Sequence, residues 1–373
     1  MLLEDGFVEG RAVLLDGDRI AGVVDMKDER VGRARRHDLG GAMLLPGFID
    51  CQVNGGGGML FNDDPSVATI EAIGRAHRRF GTTAFLPTLI SDDLSVIQRA
   101  MEAVREAIAR RVPGVIGVHI EGPYISAARK GAHDAAKFRD LDERGVRLLS
   151  SLGTGRTVVT LAPEMAALET IRKLADSGVV ICAGHTNATY EQTLAAFGAG
   201  VSGVTHLFNA MSPMTHREPG TVGAALHDRD CWCGLIVDGH HVHPAVLQFA
   251  LRAKASDRFM LVTDAMPSVG SGRDHFMLQG RRISVRDGVC TDENGTLAGS
   301  AIDMASAVRN ATRMLDVPLE SAVRMASRHP ARFLRLQHEL GRIAPGMRAN
   351  LVAADEGMNV SATWIDGRME EAG

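Results

Sequence analysis

A carboxylate and two imidazoles stand at three short apolar runs: Glu121 in His119-Ile120-Glu121-Gly122-Pro123, His185 in Ala183-Gly184-His185-Thr186, and His206 within Val204 to Phe208. One carboxylate with two imidazoles is a common ligand set for a catalytic divalent cation that keeps a position open for water. Each histidine taken alone reads as a hydrogen-bonded core residue or a strand-end polar group. The three together read as a metal centre. Zinc, iron, cobalt and manganese all accept these donors, with zinc taken first. Asp264, closing Val262-Thr263-Asp264, is then placed to take a proton from an attacking water and return it to a leaving group. In isolation, that Thr-Asp pair would be a helix N-cap at a βα turn.

Other polar residues carry weaker signals. Arg217, in His216-Arg217-Glu218-Pro219-Gly220, could clamp a phosphate or carboxylate with its planar guanidinium, although a lone surface arginine carries no such meaning. His240, His241 and His243 crowd one loop, where one can contact a ligand while the others face solvent or bond to backbone. Gly55 to Gly58 lacks the Lys-Ser/Thr of a phosphate-binding loop and reads as a close-packed turn. Cys231 and Cys233 frame Trp232 at a strand start, on the face away from the chemistry, and read as structural.

These residues need a scaffold that brings distant segments to one face. Between about Met43 and Gln337, short apolar runs alternate with helical patterns such as Val67-Ile70-Ile73-Ala76 and Ala166-Leu168-Ile171-Leu174-Ala175, the mark of βαβ units. Eight runs are expected as strands: Leu44 to Val53, Thr83 to Ile90, Val115 to Ile120, Val158 to Ala162, Val179 to Ala183, Val204 to Phe208, Trp232 to Val237, and Phe259 to Val262. Eight βα repeats over about 290 residues predict an α/β fold, a (β/α)8 TIM barrel, with its chemistry at the C-terminal strand ends. Six of the eight ends carry a carboxylate, an amide or an imidazole. No Gly-x-Gly-x-x-Gly follows the first run, so a doubly wound dinucleotide-binding sheet has no support. Short strands at both chain ends predict a small β-sandwich domain built from the two termini. They are Arg11 to Leu15 and Arg19 to Val24 about Asp16-Gly17-Asp18, then Ala349 to Ala353 and Thr363 to Ile365. The expected division is 1–43 and 339–373 for that domain and 44–338 for the barrel.

The 373 residues carry 41 Lys and Arg against 45 Asp and Glu, a net charge of −4, and neither sign forms a block. That balance excludes a polyanion-binding surface for nucleic acid or a membrane. Hydrophobic residues at 45% and charged residues at 23% lie near globular averages and exclude disorder. The start is acidic, no apolar stretch reaches about 18 residues, and the cysteines form no Cys-x-x-Cys pair. A cytoplasmic chain without a disulfide framework is expected.

Seven segments then occur in order: His119-Ile120-Glu121-Gly122-Pro123, Lys130-Gly131-Ala132-His133, Ala183-Gly184-His185-Thr186, Thr205-His206-Leu207-Phe208-Asn209-Ala210-Met211, Arg217-Glu218-Pro219-Gly220, Asp238-Gly239-His240-His241, and Leu297-Ala298-Gly299-Ser300. Leu45-Pro46-Gly47-Phe48-Ile49-Asp50 precedes them, and Gly341, Ile343, Gly346, Ala349 and Leu351-Val352 follow. Nearly end to end, this pattern resembles the N-acetylglucosamine-6-phosphate deacetylases of the amidohydrolase superfamily. The resemblance implies hydrolysis of the acetamide of N-acetyl-D-glucosamine 6-phosphate to D-glucosamine 6-phosphate and acetate, in amino-sugar catabolism and cell-wall sugar recycling. It implies Glu121, His185 and His206 as metal ligands and Asp264 as the acid/base. Ala132 and His133 would lie against the sugar and acetyl group, Asn209 and Ala210 near the phosphosugar, and Arg217 and His241 at the phosphate. Leu297, Ala298 and Gly299 would contact substrate by backbone or shape. A homodimer is implied, with Arg217 able to act across its interface.

The chain departs from the superfamily at one place. Many members have His-x-His at the end of the first strand, where Gln52 and Asn54 stand here. Amides are weak ligands beside imidazoles, so one divalent ion per subunit is expected, with Gln52 and Asn54 orienting water or neighbouring side chains. The fourth run ends Ala162-Pro163-Glu164, without the lysine that two-metal members carry there. The competing readings are another amidohydrolase acting on N-acyl sugars or cyclic amides, and a non-catalytic scaffold of the same fold. A scaffold would be expected to have lost a ligand or the acid/base.

Overall fold

The computed structural model describes residues 1–371. Eight parallel strands form its centre: β1 Phe48–Val53, β2 Thr82–Ile90, β3 Gly117–Glu121, β4 Arg156–Leu161, β5 Val180–Ala183, β6 Val201–Val204, β7 Trp232–Leu235 and β8 Phe259–Leu261. Each pairs with its sequence neighbour, and helices such as Val67–Arg78, Leu94–Ala109 and Leu168–Asp176 occupy the connections. The ring closes at the C-terminal strand ends, where the Asp264 N–H donates to the Gln52 carbonyl at 3.0 Å and the Asn54 N–H to the Ala265 carbonyl at 2.9 Å. The barrel seam therefore joins two segments that both carry candidate site residues.

Helices cover the outer face of these strands, which is why they read as unbroken apolar runs. Ile49, Cys51, Leu86, Val158, Cys182, Ile236 and Val262 share a cluster inside the ring, with Phe333, Leu334 and Leu340 packed beneath it. Phe48, Val118, Ile120, Val159 and Ile181 pack the other way, against the helices. On β3 this alternation leaves His119 and Glu121 facing inward. On β1, Asp50 to Val53 advance three positions while their partners Phe85 to Pro87 advance two, a bulge beside Gln52 of the kind that re-aims side chains.

Two of the expected runs are corrected. Met43–Pro46 leaves the barrel and pairs antiparallel with Leu351–Ala354. Gly47 separates it from β1, at a point where any Cβ would lie 2.1 Å from Thr83. β6 is Val201–Val204, so Thr205 to Phe208 are a turn instead of a strand. His206 and Phe208 have φ of 34° and 78°, outside strand geometry.

The terminal segments meet in antiparallel sheets. Arg11–Asp16 and Arg19–Asp25 form a hairpin, while Met43–Pro46, Leu351–Ala354, Val360–Ile365 and Arg368–Glu371 form a four-stranded sheet. Ile20, Leu44, Met347, Leu351 and Trp364 belong to their shared core.

Periodicity did not reveal a further antiparallel sheet between β8 and the helix Met304–Leu315. It comprises β9 His275–Leu278, β10 Arg281–Arg286, β11 Val289–Thr291 and β12 Leu297–Ser300. Leu278 pairs with Arg281 and Arg286 with Val289, so Gln279-Gly280 and Asp287-Gly288 are two-residue turns with positive φ at every position. β12 returns to the barrel seam, where the Ser300 N–H donates to the Asp264 carbonyl at 2.9 Å.

Candidate active site

Glu121 ends β3, His185 lies just past β5 and His206 just past β6, all buried. Glu121 Oε1 lies 3.3 Å from His185 Nε2 and 3.0 Å from His206 Nε2, and the two imidazole nitrogens are 3.2 Å apart. Four-coordinate ligands at about 2.0–2.1 Å from an ion lie about 3.3 Å from one another, so the donor set has the spacing of a divalent-cation site. Among the described residues, it is the one group of three or more His, Cys, Asp or Glu donors within 4.8 Å of one another.

The donor chemistry agrees with the spacing. His185 Nδ1 lies 2.9 Å from the Arg129 carbonyl, which can only accept, so the proton sits on Nδ1 and the Nε2 lone pair faces the cluster. Burial alone would raise the Glu121 carboxyl, but bonds and charge from His185 and His206 outweigh it and hold it well below the ordinary range. A carboxylate and an imidazole lone pair aimed at one point suit a cation.

Left-handed backbone positions these groups. His185, His206 and Asp264 have φ of 48°, 34° and 52°, each just after a strand stops. Such conformations are costly for residues with a Cβ and persist where surrounding structure holds them. For His185 the holding is visible: Glu164, past the end of β4, accepts from Thr186 Oγ1 at 2.5 Å and from the Asn187 N–H at 2.6 Å. The Ser126 N–H also donates to the His185 carbonyl.

Asp264 is buried beside the cluster. Its Oδ1 accepts from Asn54 Nδ2 at 2.6 Å and from Gln52 Nε2 at 3.1 Å, and Gln52 Nε2 also reaches both Glu121 oxygens at 3.1–3.2 Å. Gln52 thus bridges the carboxylate of the donor set to Asp264. Among the described residues, Oδ2 of Asp264 accepts no hydrogen bond and is the oxygen left for a proton. Burial and the nearby Glu121 charge push this carboxyl up to about 6, against the opposing pull of His206 and His241. Asp50 supports the same segment, accepting from Thr263 Oγ1 at 2.5 Å and from the Thr263 N–H at 3.3 Å. Burial pushes its carboxyl to about 7.

His133 packs its ring against His185, with centroids 4.3 Å apart. Its Nδ1 accepts from the Ser91 N–H at 3.3 Å and lies 2.7 Å from Ser91 Oγ, so the proton of the neutral ring is on Nε2. Burial and the neighbouring His185 hold its pKa well below the usual value. Ala132 precedes it in the same loop. Asn209 and Ala210 lie on the turn after His206, where Asn209 Nδ2 caps the His206 carbonyl at 3.1 Å and the Ala210 carbonyl accepts from the Thr186 N–H at 3.1 Å. His241 Nδ1 lies 2.6 Å from Asp238 Oδ2. That pairing overcomes burial and keeps the Asp238 carboxyl at about 2. Leu297, Ala298 and Gly299 lie on β12 beside the Asp264 segment, and Gly299, with φ of 63°, leaves room where a Cβ would be 2.8 Å from the Asp264 carbonyl. Arg217 is on an exposed loop and, among the described residues, has no hydrogen-bond or ion-pair partner.

Several contributors carried no signal in the sequence. Ser91, Gln279 and Arg281 act through loop contacts between distant segments. His119 sits one layer beneath Glu121, with Nε2 2.7 Å from Thr160 Oγ1, which in turn lies 2.6 Å from Thr205 Oγ1, next to His206. Its inward position two residues before Glu121 was the one available hint.

A family model described as the amidohydrolase family matches residues 43–369. The chain is 48% identical to an N-acetylgalactosamine-6-phosphate deacetylase of Shewanella sp. (strain ANA-3), over 87% of this chain and 82% of that one. It is 35% identical to an N-acetylglucosamine-6-phosphate deacetylase of Haemophilus influenzae, over 96% and 94%. The crystal structure of the N-acetylglucosamine-6-phosphate deacetylase from Pasteurella multocida superposes with a TM-score of 0.95 at 36% identity, covering 99% of this chain and 97% of that one. Matched over nearly its whole length, with a Glu-His-His donor set at the C-terminal ends of a parallel barrel, the chain belongs to the amidohydrolase family.

Proposed function

We propose that this chain hydrolyses the acetamide of an N-acetylhexosamine 6-phosphate, N-acetyl-D-glucosamine 6-phosphate first, to the amino sugar phosphate and acetate. The observation that carries the proposal is the juxtaposition of the metal-spaced Glu121, His185 and His206 with Asp264, whose Oδ1 is occupied by two amides. Glu121, His185 and His206 would hold a divalent cation, zinc first, and such an ion would supply Lewis acidity for ionising water and polarising an acyl oxygen. Asp264 Oδ2 takes the proton of the attacking water and delivers it to the departing sugar nitrogen, since an amine leaves only when protonated. Gln52 and Asn54 fix the unused oxygen of that carboxylate, which keeps Oδ2 aimed at one place. His133, with its proton on Nε2, donates to the acetyl oxygen as negative charge develops there. Arg217 and His241 take the phosphate, with Arg217 reaching across a homodimer interface. Asn209, Ala210 and the β12 residues Leu297 to Gly299 line the sugar. The five buried, unpaired cysteines favour a reducing, cytoplasmic setting.

Acetate and free amine measured together from N-acetylglucosamine 6-phosphate, before and after chelation, test this directly. Equal release of both, abolished by chelation and restored by one equivalent of metal, is expected; no acetate from the metal-loaded protein overturns the reading. A second substrate has a specific observation in its favour: the Shewanella relative, at 48% identity, is an N-acetylgalactosamine-6-phosphate deacetylase. Comparing kcat/KM for the two C4 epimers decides between them.

A further inference from the structure

Three successive residues, Ala132, His133 and Asp134, are each anchored from outside their own loop. His133 is held by Ser91, as described. The other two anchors come from one hairpin of the inserted sheet. Gln279 Oε1 accepts from the Asp134 N–H at 2.9 Å, while Gln279 Nε2 donates to the Ser91 carbonyl at 2.7 Å. Arg281 donates to the Ala132 carbonyl and pairs with Asp292. Both atoms of the Gln279 amide are used, and they join the residue after His133 to the residue that holds His133.

The turn carrying Gln279 argues that this contact is selected for reach. Gln279 and Gly280 have φ of 49° and 79°, the geometry of a type I′ hairpin turn. Its first position favours Asn, Asp or Gly, and the next turn of the sheet uses Asp287-Gly288. A glutamine there accepts a disfavoured backbone conformation and gains a side chain long enough to span Ser91 and Asp134.

We propose that Gln279, supported by Arg281, is a positioning residue that locks the His133 ring in its Nε2–H orientation over His185. The inference rests on the proposed deacetylation only for its kinetic consequence. The test compares wild type, Gln279→Asn and Gln279→Ala. Asn suits the turn but is one methylene short of the span, so Gln279→Asn keeps the hairpin and loses the lock. Expected are an unchanged metal stoichiometry and thermal midpoint for Gln279→Asn, faster amide exchange over residues 131–137, and kcat lowered roughly tenfold to a hundredfold with KM little changed. In a His133→Asn background, Gln279→Asn should cost almost nothing further. Unchanged exchange protection in both variants overturns the lock. An equal kcat loss with and without His133 overturns its action through that ring. Wild type that releases no acetate sinks the proposed reaction instead, and exchange alone then decides the lock.

Discussion

At the scale of single residues, the site is two carboxylates kept apart in behaviour by their partners. Glu121 is held ionised by two imidazoles, while Asp264 sits near 6 because burial and the Glu121 charge oppose its ionisation. A base must be a carboxylate to take a proton, and a cation on Glu121 would offset the charge that raises Asp264, so in the metal-loaded protein kcat/KM is expected to rise with pH through a midpoint at or below about 6 and flatten above it. Asp264→Asn should keep its metal and lose about 10²- to 10⁴-fold in kcat together with that acidic limb. A variant that retained the limb would assign it to another group. Asp50 gives the matching stability prediction. Its folded carboxyl, at about 7, lies above the ordinary unfolded value, so its contribution is present at low pH and is lost as pH rises through 7. Urea unfolding of wild type and Asp50→Asn at pH 5 and pH 8 should show the gap between them narrowing at pH 8. The proposed ligands and acid/base were legible as candidates because one sits at each of four strand ends and because their segments resemble a known family. Asp50 and Ser91 were not, since a buried Asp-Thr pair and a serine holding a histidine depend on which chain segments adjoin, and spacing does not encode that.

At the scale of elements, the parallel strands were legible because burial on both faces writes them as short apolar runs between helical periods. The two misplaced boundaries have local causes: the close approach of Gly47 to Thr83, and left-handed residues that stop β6 before His206. The inserted sheet was missed because β9 to β12 are three to six residues long and only partly buried, over a small core shared with Leu60, Ile90 and Met266. Asp287-Gly288 and Asn294-Gly295 were its readable turns. That sheet nevertheless touches the site at two places, through Gln279 at the His133 loop and through β12 at the Asp264 segment. Gly299→Ala tests the second contact. The added methyl would meet Met266 at 2.6 Å and the Asp264 carbonyl at 2.8 Å, at a φ that disfavours any side chain. It should destabilise by more than about 1 kcal/mol and lower kcat by moving the Asp264 backbone. Wild-type kcat with a wild-type denaturation midpoint would detach β12 from the site.

At the scale of the whole molecule, the barrel gathers the candidate reacting groups at its strand ends, but the cation proposed for the phosphate lies at its margin. Arg217 sits on an exposed loop with no partner among the described residues, and Met214, three residues earlier in the same loop, is itself 58% exposed. An unpaired guanidinium and an exposed apolar side chain on one loop suit a surface completed by a second copy, as the proposed homodimer requires. Mixing two variants that are both impaired at substrate concentrations far below KM decides, under those conditions, whether Arg217 acts within its own subunit. Arg217→Ala keeps Asp264, and Asp264→Asn keeps Arg217. If the arginine reaches the partner's site, half the dimers in an equal mixture hold one complete site, and activity should recover to about a quarter of wild type after subunit exchange. If it serves its own subunit, no mixed dimer has a complete site and the mixture stays at the mean of the two parents. The same logic predicts that Arg217→Ala raises KM for the phosphorylated sugar far more than it lowers kcat, because the lost contact is equally strong in ground and transition states.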